Sequence, residues 1–117
     1  MKKILIVDDE PNIVMTLEYA FKKKNFQVFI ARDGSEALEI IKTEFSEEVN
    51  LFTKNFIDNN FSEAANNVHK LKHKIGLLGL ESGLKVASAF EEGLKKGNTK
   101  LHHNFLDVLD KIHVYLY

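Results

Sequence analysis

The chain contains no cysteine and no tryptophan, one proline and six glycines in 117 residues. The absence of cysteine excludes disulfides and thiolate metal sites. No excess of charge of one sign appears: the formal net charge is −1. Bulk charge therefore gives no support for binding nucleic acid or a membrane surface. No apolar run reaches the roughly 18 residues that a membrane span needs. The opening run Met1 to Val7 meets Asp8 too early for a signal peptide. No membrane association is expected, and the cytoplasm is the expected compartment. The single proline, Pro11, lies near the N-terminus, so little interrupts helices after it.

What is present changes character near residue 43. Ile4-Leu5-Ile6-Val7 is a short continuous apolar run, the pattern of a buried parallel strand. Asp8-Asp9-Glu10 ends it, and Pro11 suits the first turn of a helix. Ile13, Val14, Leu17, Ala20 and Phe21 follow at helical spacing, and Lys22-Lys23-Lys24-Asn25 close that helix. Phe26 to Ala31 reads as a second strand. Asp33, three residues before Glu36, makes an approximate capping box for a helix through Ile41. The order β-α-β-α is the start of a doubly wound sheet.

From Thr43 onward only helical periodicity is found. Phe45, Val49, Phe52 and Phe56 form one stripe, and Phe61 to Leu78 carries the next. Leu80, Leu84, Ala87, Phe90 and Leu94 form a third, and Leu101 to Leu116 a fourth. Asn59-Asn60, Gly79 and Gly97-Asn98 mark the turns, with Gly97 a C′ cap. Four stripes joined by short turns predict an antiparallel four-helix bundle. The join from Ile41 to Val49 has neither glycine nor proline, so one helix can run through it. The expected class is α+β: a β-α-β-α segment over 1–42, then an all-α bundle over 43–117.

On a helical wheel His69, Lys72, His73 and Gly76 fall on the edge of the apolar stripe, with Ala65 beside them. His69 thus sits on a ridge bounded by small residues, which lets a partner's backbone approach. Lys72 is one turn from His69, close enough to offset an anion on the imidazole. Ala65, His73 and Gly76 are the expected docking contacts.

The run His69-Lys70-Leu71-Lys72, continuing to Leu78-Gly79-Leu80, resembles the motif of histidine-containing phosphotransfer (HPt) domains, and the resemblance covers about 45–117. One departure is His73, where such domains usually carry glycine; it crowds the approach to His69. The resemblance implies a phosphorelay intermediate of a two-component system, not an enzyme. His69 would carry the phosphoryl group and Lys72 stabilise it. Partners would be response-regulator receiver domains and a hybrid histidine kinase, the receiver supplying Mg²⁺, with no cofactor intrinsic to this chain.

Lys3 to Pro11, Phe26 to Ala31, and Ala31-Arg32-Asp33-Gly34-Ser35-Glu36-Ala37-Leu38 resemble the first third of a response-regulator receiver, a flavodoxin-like fold. The resemblance places Asp8 and Asp9 at the family's Mg²⁺ positions, and two carboxylates suit a hard cation. The third to fifth strands are absent, and with them the acceptor aspartate, switch hydroxyl and lysine. Asp8 and Asp9 are therefore read as a relic for catalysis, with weak Mg²⁺ binding the residual expectation. A missing third strand leaves the first strand with an open edge, from which a homodimer with antiparallel first strands is expected.

Two other readings stand beside this one. The first is a structural or oligomerisation protein with vestigial phosphotransfer. The second is a metal-binding bundle, since His69 and His73 are four residues apart. Against the second, there is no H-E-x-x-H glutamate and no evident third ligand. His102, His103 and His113 read as surface or packing residues.

Overall fold

The computed structural model describes residues 2–117, apart from the side chains of Leu77 and Tyr115. It is mostly helical, with a two-stranded parallel sheet, an α+β composition. The elements run β1 (Lys3–Val7), α1 (Pro11–Lys23), β2 (Gln27–Ala31), α2 (Gly34–Ile57), α3 (Phe61–Leu77), α4 (Glu81–Lys95) and α5 (His102–Leu116). The chain divides into two compact units, Met1–Glu44 and Phe45–Tyr117. Helix α2 is continuous from Gly34 to Ile57 and contributes residues to both. Nothing between Ile41 and Val49 stops it, because no residue there removes a backbone donor or favours a left-handed turn.

In the first unit β1 and β2 pair in parallel, from Lys3 with Gln27 to Val7 with Ala31. Asp8 Oδ1 accepts the Glu10 amide at 2.8 Å, turning the chain toward Pro11 at the start of α1. The expected capping box forms in modified shape. Asp33 Oδ1 accepts the Glu36 amide at 2.9 Å, and the Glu36 carboxylate reaches back to the amide of Arg32 rather than that of Asp33. The expectation that β1 is buried throughout fails. Of its apolar residues only Ile6 is buried, and Val7 is 48 % exposed. A sheet of two strands has too few neighbours to cover both of its faces. No residue of α1 is buried, and Ile13, Met15 and Tyr19 lie exposed.

The second unit has one apolar core drawn from the end of α2 and from α3, α4 and α5. The stripes read from the sequence supply it. Phe52, Leu71, Phe90 and Ile112 are fully buried, each stabilising the fold by about 1.5–3 kcal/mol. Phe52 meets Phe90 and Phe105 edge-on at 5.9 and 5.3 Å between ring centres. Gly83 lets α4 approach α5 closely; a Cβ there would meet Val108 Cγ1 at 3.0 Å. Polar groups also enter this interior. Asn55 Nδ2 donates to Asn67 Oδ1 at 2.7 Å, and Asn67 Nδ2 donates to Glu48 Oε1 at 2.8 Å. Glu48 and Asn67 are both buried.

The helix ends share one device. After α3, Gly79 adopts φ +73°, its amide bonds to Gly76 O and the next amide, Leu80, to Ile75 O. Gly97 does the same after α4, with Asn98 bonding to Gly93 O. Asn25 and Asn59 take the left-handed position after α1 and α2. These are Schellman ends, which satisfy carbonyls the helix leaves open.

Candidate functional site

Helix α3 presents His69 at its middle, on the flank of the buried row Val68, Leu71 and Ile75. The His69 side chain is 55 % exposed. Its Nδ1 faces the carboxylate of Glu91 on α4, at 3.2 Å from Oε2 and 3.3 Å from Oε1. Glu91 is buried, only 5 % exposed. Lys72 Nζ lies 3.0 Å from Glu91 Oε1 and Lys95 Nζ 3.3 Å from Oε2. One carboxylate therefore gathers an imidazole and two ammonium groups. Burial is the largest influence on Glu91 and by itself raises its pKa. Hydrogen bonds and charge from Lys72, Lys95 and His69 together outweigh it and hold the carboxyl below its ordinary value. Lys95 is correspondingly raised, first by its hydrogen bond to Glu91 and then by the charges of Glu92 and Glu91.

An ionised carboxylate only accepts hydrogen bonds, so it assigns the proton of neutral His69 to Nδ1. The lone pair then resides on Nε2, which has no hydrogen-bond partner among the described residues. His73 stands edge-on to His69, with ring centres 5.3 Å apart. His69, Lys72, His73, Gly76 and Leu84 line an open hollow of about 520 Å³. Gly76 has nothing within 4 Å of where a Cβ would stand, so it forms an unobstructed part of that wall.

The structure brings His69, Lys72, His73 and Gly76 together as the wheel expects. It does not place Ala65 with them: Ala65 is 1 % exposed and belongs to the core. It occupies the stripe side of the boundary, where α3 packs inward, and cannot act as a docking contact. Glu91 and Leu84 are the members that the motif does not reveal. Glu91 did leave a trace in the sequence. Leu84, Ala87, Glu91 and Leu94 follow coiled-coil-like spacing, so a carboxylate stands at a position that periodicity assigns to the core.

Asp8 and Asp9 lie together at the end of β1, Asp8 half-buried and Asp9 exposed. Asp8 Oδ1 is engaged by the Glu10 amide. Among the described residues no three His, Cys, Asp or Glu side chains are grouped to hold a metal ion, either here or around His69 and His73. His102 stacks on Phe56 at 3.8 Å with its ring nearly parallel, and burial followed by the charge of His103 pushes its pKa down. His113 stacks on Tyr117 at 4.6 Å.

Comparison with known proteins finds a partial likeness. The alkaline phosphatase synthesis transcriptional regulatory protein PhoP of Bacillus subtilis is 49 % identical to this chain over 43 residues. That stretch is 37 % of this chain and 18 % of the relative. The chain carries a receiver-like segment. No family model matches the chain, and no solved structure matches it. Among the described residues no helix is long and apolar enough to cross a membrane.

Proposed function

We propose that residues 43–117 form an HPt-like antiparallel four-helix bundle and that the protein is a phosphorelay intermediate, with His69 the carrier. Residues 1–42 are a truncated receiver-like, flavodoxin-like segment without an acceptor of its own. The single observation that carries this reading is the clamp on His69: an exposed imidazole whose Nδ1 is held by a buried carboxylate that also holds Lys72. In the transfer, the Nε2 lone pair attacks the phosphorus of a partner's aspartyl phosphate. The acyl P–O bond breaks and the electron pair leaves with the aspartate carboxylate. The Nδ1 proton stays in place, and the positive charge that develops on the ring faces Glu91. Lys72 and His73 border the hollow where phosphoryl oxygens would sit. The receiver domain of the partner supplies Mg²⁺ and the aspartate, and the reverse step passes the group on. Positioning and electrostatics carry most phosphoryl-transfer catalysis, so the chain acts as a carrier and not as an enzyme. A receiver domain and a hybrid histidine kinase are the partners this chemistry requires, in the cytoplasm.

The test is phosphotransfer from a labelled receiver to the full chain. Acid-labile, base-stable label that disappears in His69→Gln, with helicity unchanged, supports the reading. Label that persists in that variant, or that maps to His73, overturns it.

A further inference from the structure

The first unit leaves one edge of β1 open. The Gln27 amide bonds to Lys2 O and the Asp8 amide to Ala31 O, so the even-numbered residues of this stretch direct their backbone groups toward β2. A strand alternates, and Lys3, Leu5 and Val7 therefore direct their amides and carbonyls to the other edge. No other strand pairs there among the described residues. An unpaired apolar edge is a template for another strand.

The sequence around this edge specifies which strand. Lys2-Lys3 precede the apolar run Ile4 to Val7, and Asp8-Asp9 follow it. Laid parallel on a second copy, lysine meets lysine and aspartate meets aspartate. Laid antiparallel, each basic end meets an acidic end. A two-fold axis normal to the sheet keeps side chains on their own face, so only residues of like parity can oppose one another. Centring the axis on Leu5 sets Leu5 against Leu5, Ile4 against Ile6, Lys3 against Val7 and Lys2 against Asp8, while the Lys3 ammonium stays with Glu44 of its own chain. Shifting the centre to Ile6 keeps opposite charges together, Lys3 against Asp9 and Lys2 against Glu10, but sets apolar Ile4 against Asp8 on both sides of the axis. The first register also pairs Lys3, Leu5 and Val7, whose backbone groups are open, wholly among themselves, whereas the second opposes Lys3 to Asp9, which lies beyond the end of the strand. The outer edge of β2 has no such symmetry: the same operation centred on Phe29 opposes Phe26 to Arg32 and Asn25 to Asp33.

We infer that β1 is a self-recognition strand, which joins two copies of the chain by antiparallel pairing centred on Leu5 and converts two two-stranded sheets into one of four. This goes beyond the phosphotransfer reading and does not depend on it. It also gives the sheet more strands: a two-stranded sheet is marginal alone in water, and a four-stranded one is less so.

The absence of cysteine gives a clean test in the full chain. Leu5→Cys should cross-link to itself under mild oxidation, while Lys3→Cys should cross-link to Val7→Cys in a mixture but not to itself. Parallel pairing would reverse that pattern, with Lys3→Cys joining itself, and would overturn the inference. In sedimentation velocity the wild-type chain should be a dimer at tens of micromolar. The reversed variants Lys2→Glu and Asp8→Lys should each dimerise several-fold more weakly, since each places like charges opposite one another, and Lys3 is left unchanged because it already pairs with Glu44. An equimolar mixture should recover the dimer as a heterodimer. A wild-type monomer, or a dimer indifferent to both reversals, refutes the inference. If a reversed variant loses its circular dichroism signal, the cysteine cross-links, which leave the charged ends of the Leu5 variant intact, decide the matter.

Discussion

His69 Nδ1 and the Glu91 carboxylate lie 3.2 Å apart, one group more than half exposed and the other almost wholly buried. The pair joins α3 to α4 and fixes the ring by its inner nitrogen. Lys72 and Lys95 make the carboxylate tolerable in that position, because a buried charge without partners costs several kcal/mol. The site is thus organised around a residue that does not itself line the hollow.

Glu91→Gln tests this organisation. The amide can still fill the space but does not hold Lys72 by charge or stabilise a ring that becomes positive. Phosphotransfer to His69 should fall about tenfold, in the range seen when a group that orients a reactive imidazole is removed. Lys95→Ala, which keeps the His69 and Lys72 contacts, should have a smaller effect. Single-turnover rates measured with one labelled receiver compare the two, and equal loss would refute the assignment.

Lys72→Ala should slow transfer more than Lys70→Ala. Lys72 borders the hollow and contacts Glu91, whereas Lys70 is exposed and lies outside it. The measured quantity is the initial rate of His69 labelling, and similar rates for the two variants would remove Lys72 from the site.

Acid should loosen the second unit in two stages. His102 has a lowered pKa in the folded chain, so its contribution is complete above its unfolded value of about 6.5 and is lost as pH falls toward the folded one. Glu91 is also lowered, so its contribution is complete above about 4.5 and is lost as pH falls below that. Denaturant midpoints should therefore drop first below about pH 6.5 and again below about 4.5. His102→Phe should abolish the first drop and leave the second.

Two glycines of the α3 end should respond in opposite directions. Gly79 needs its positive φ, so Gly79→Ala should cost about 1–2 kcal/mol in urea unfolding. Gly76 is helical with open space around it, so Gly76→Ala should add about 0.5–1 kcal/mol. The same alanine stands in the wall of the hollow and should slow phosphotransfer. A Gly76→Ala variant that is both more stable and equally fast would show that this wall meets no partner.

The legible part of the fold was the part governed by local periodicity. The helical stripes, the turn residues Asn59, Gly79 and Gly97, and the unbroken run through residues 41–49 all appear in the structure as spacing and turn chemistry require. Burial of β1 was not legible, because an apolar run records what a strand could bury and not how many neighbours it has. At the site, His69 and Lys72 were readable from one helix. Glu91 was not, because it sits twenty-two residues from His69 on another helix. Ala65 failed for a related reason: a wheel places it near a boundary, and only packing decides which side.

The Glu48–Asn67–Asn55 chain of hydrogen bonds gives α3 an index position. Leucine and phenylalanine can exchange neighbours after a slip of one helical turn at modest cost. A buried carboxylate and amide cannot, since each would lose its partner in a place water does not reach. Asn67 is two residues from His69, so the height of the imidazole is set by a ratchet tooth and not by grease.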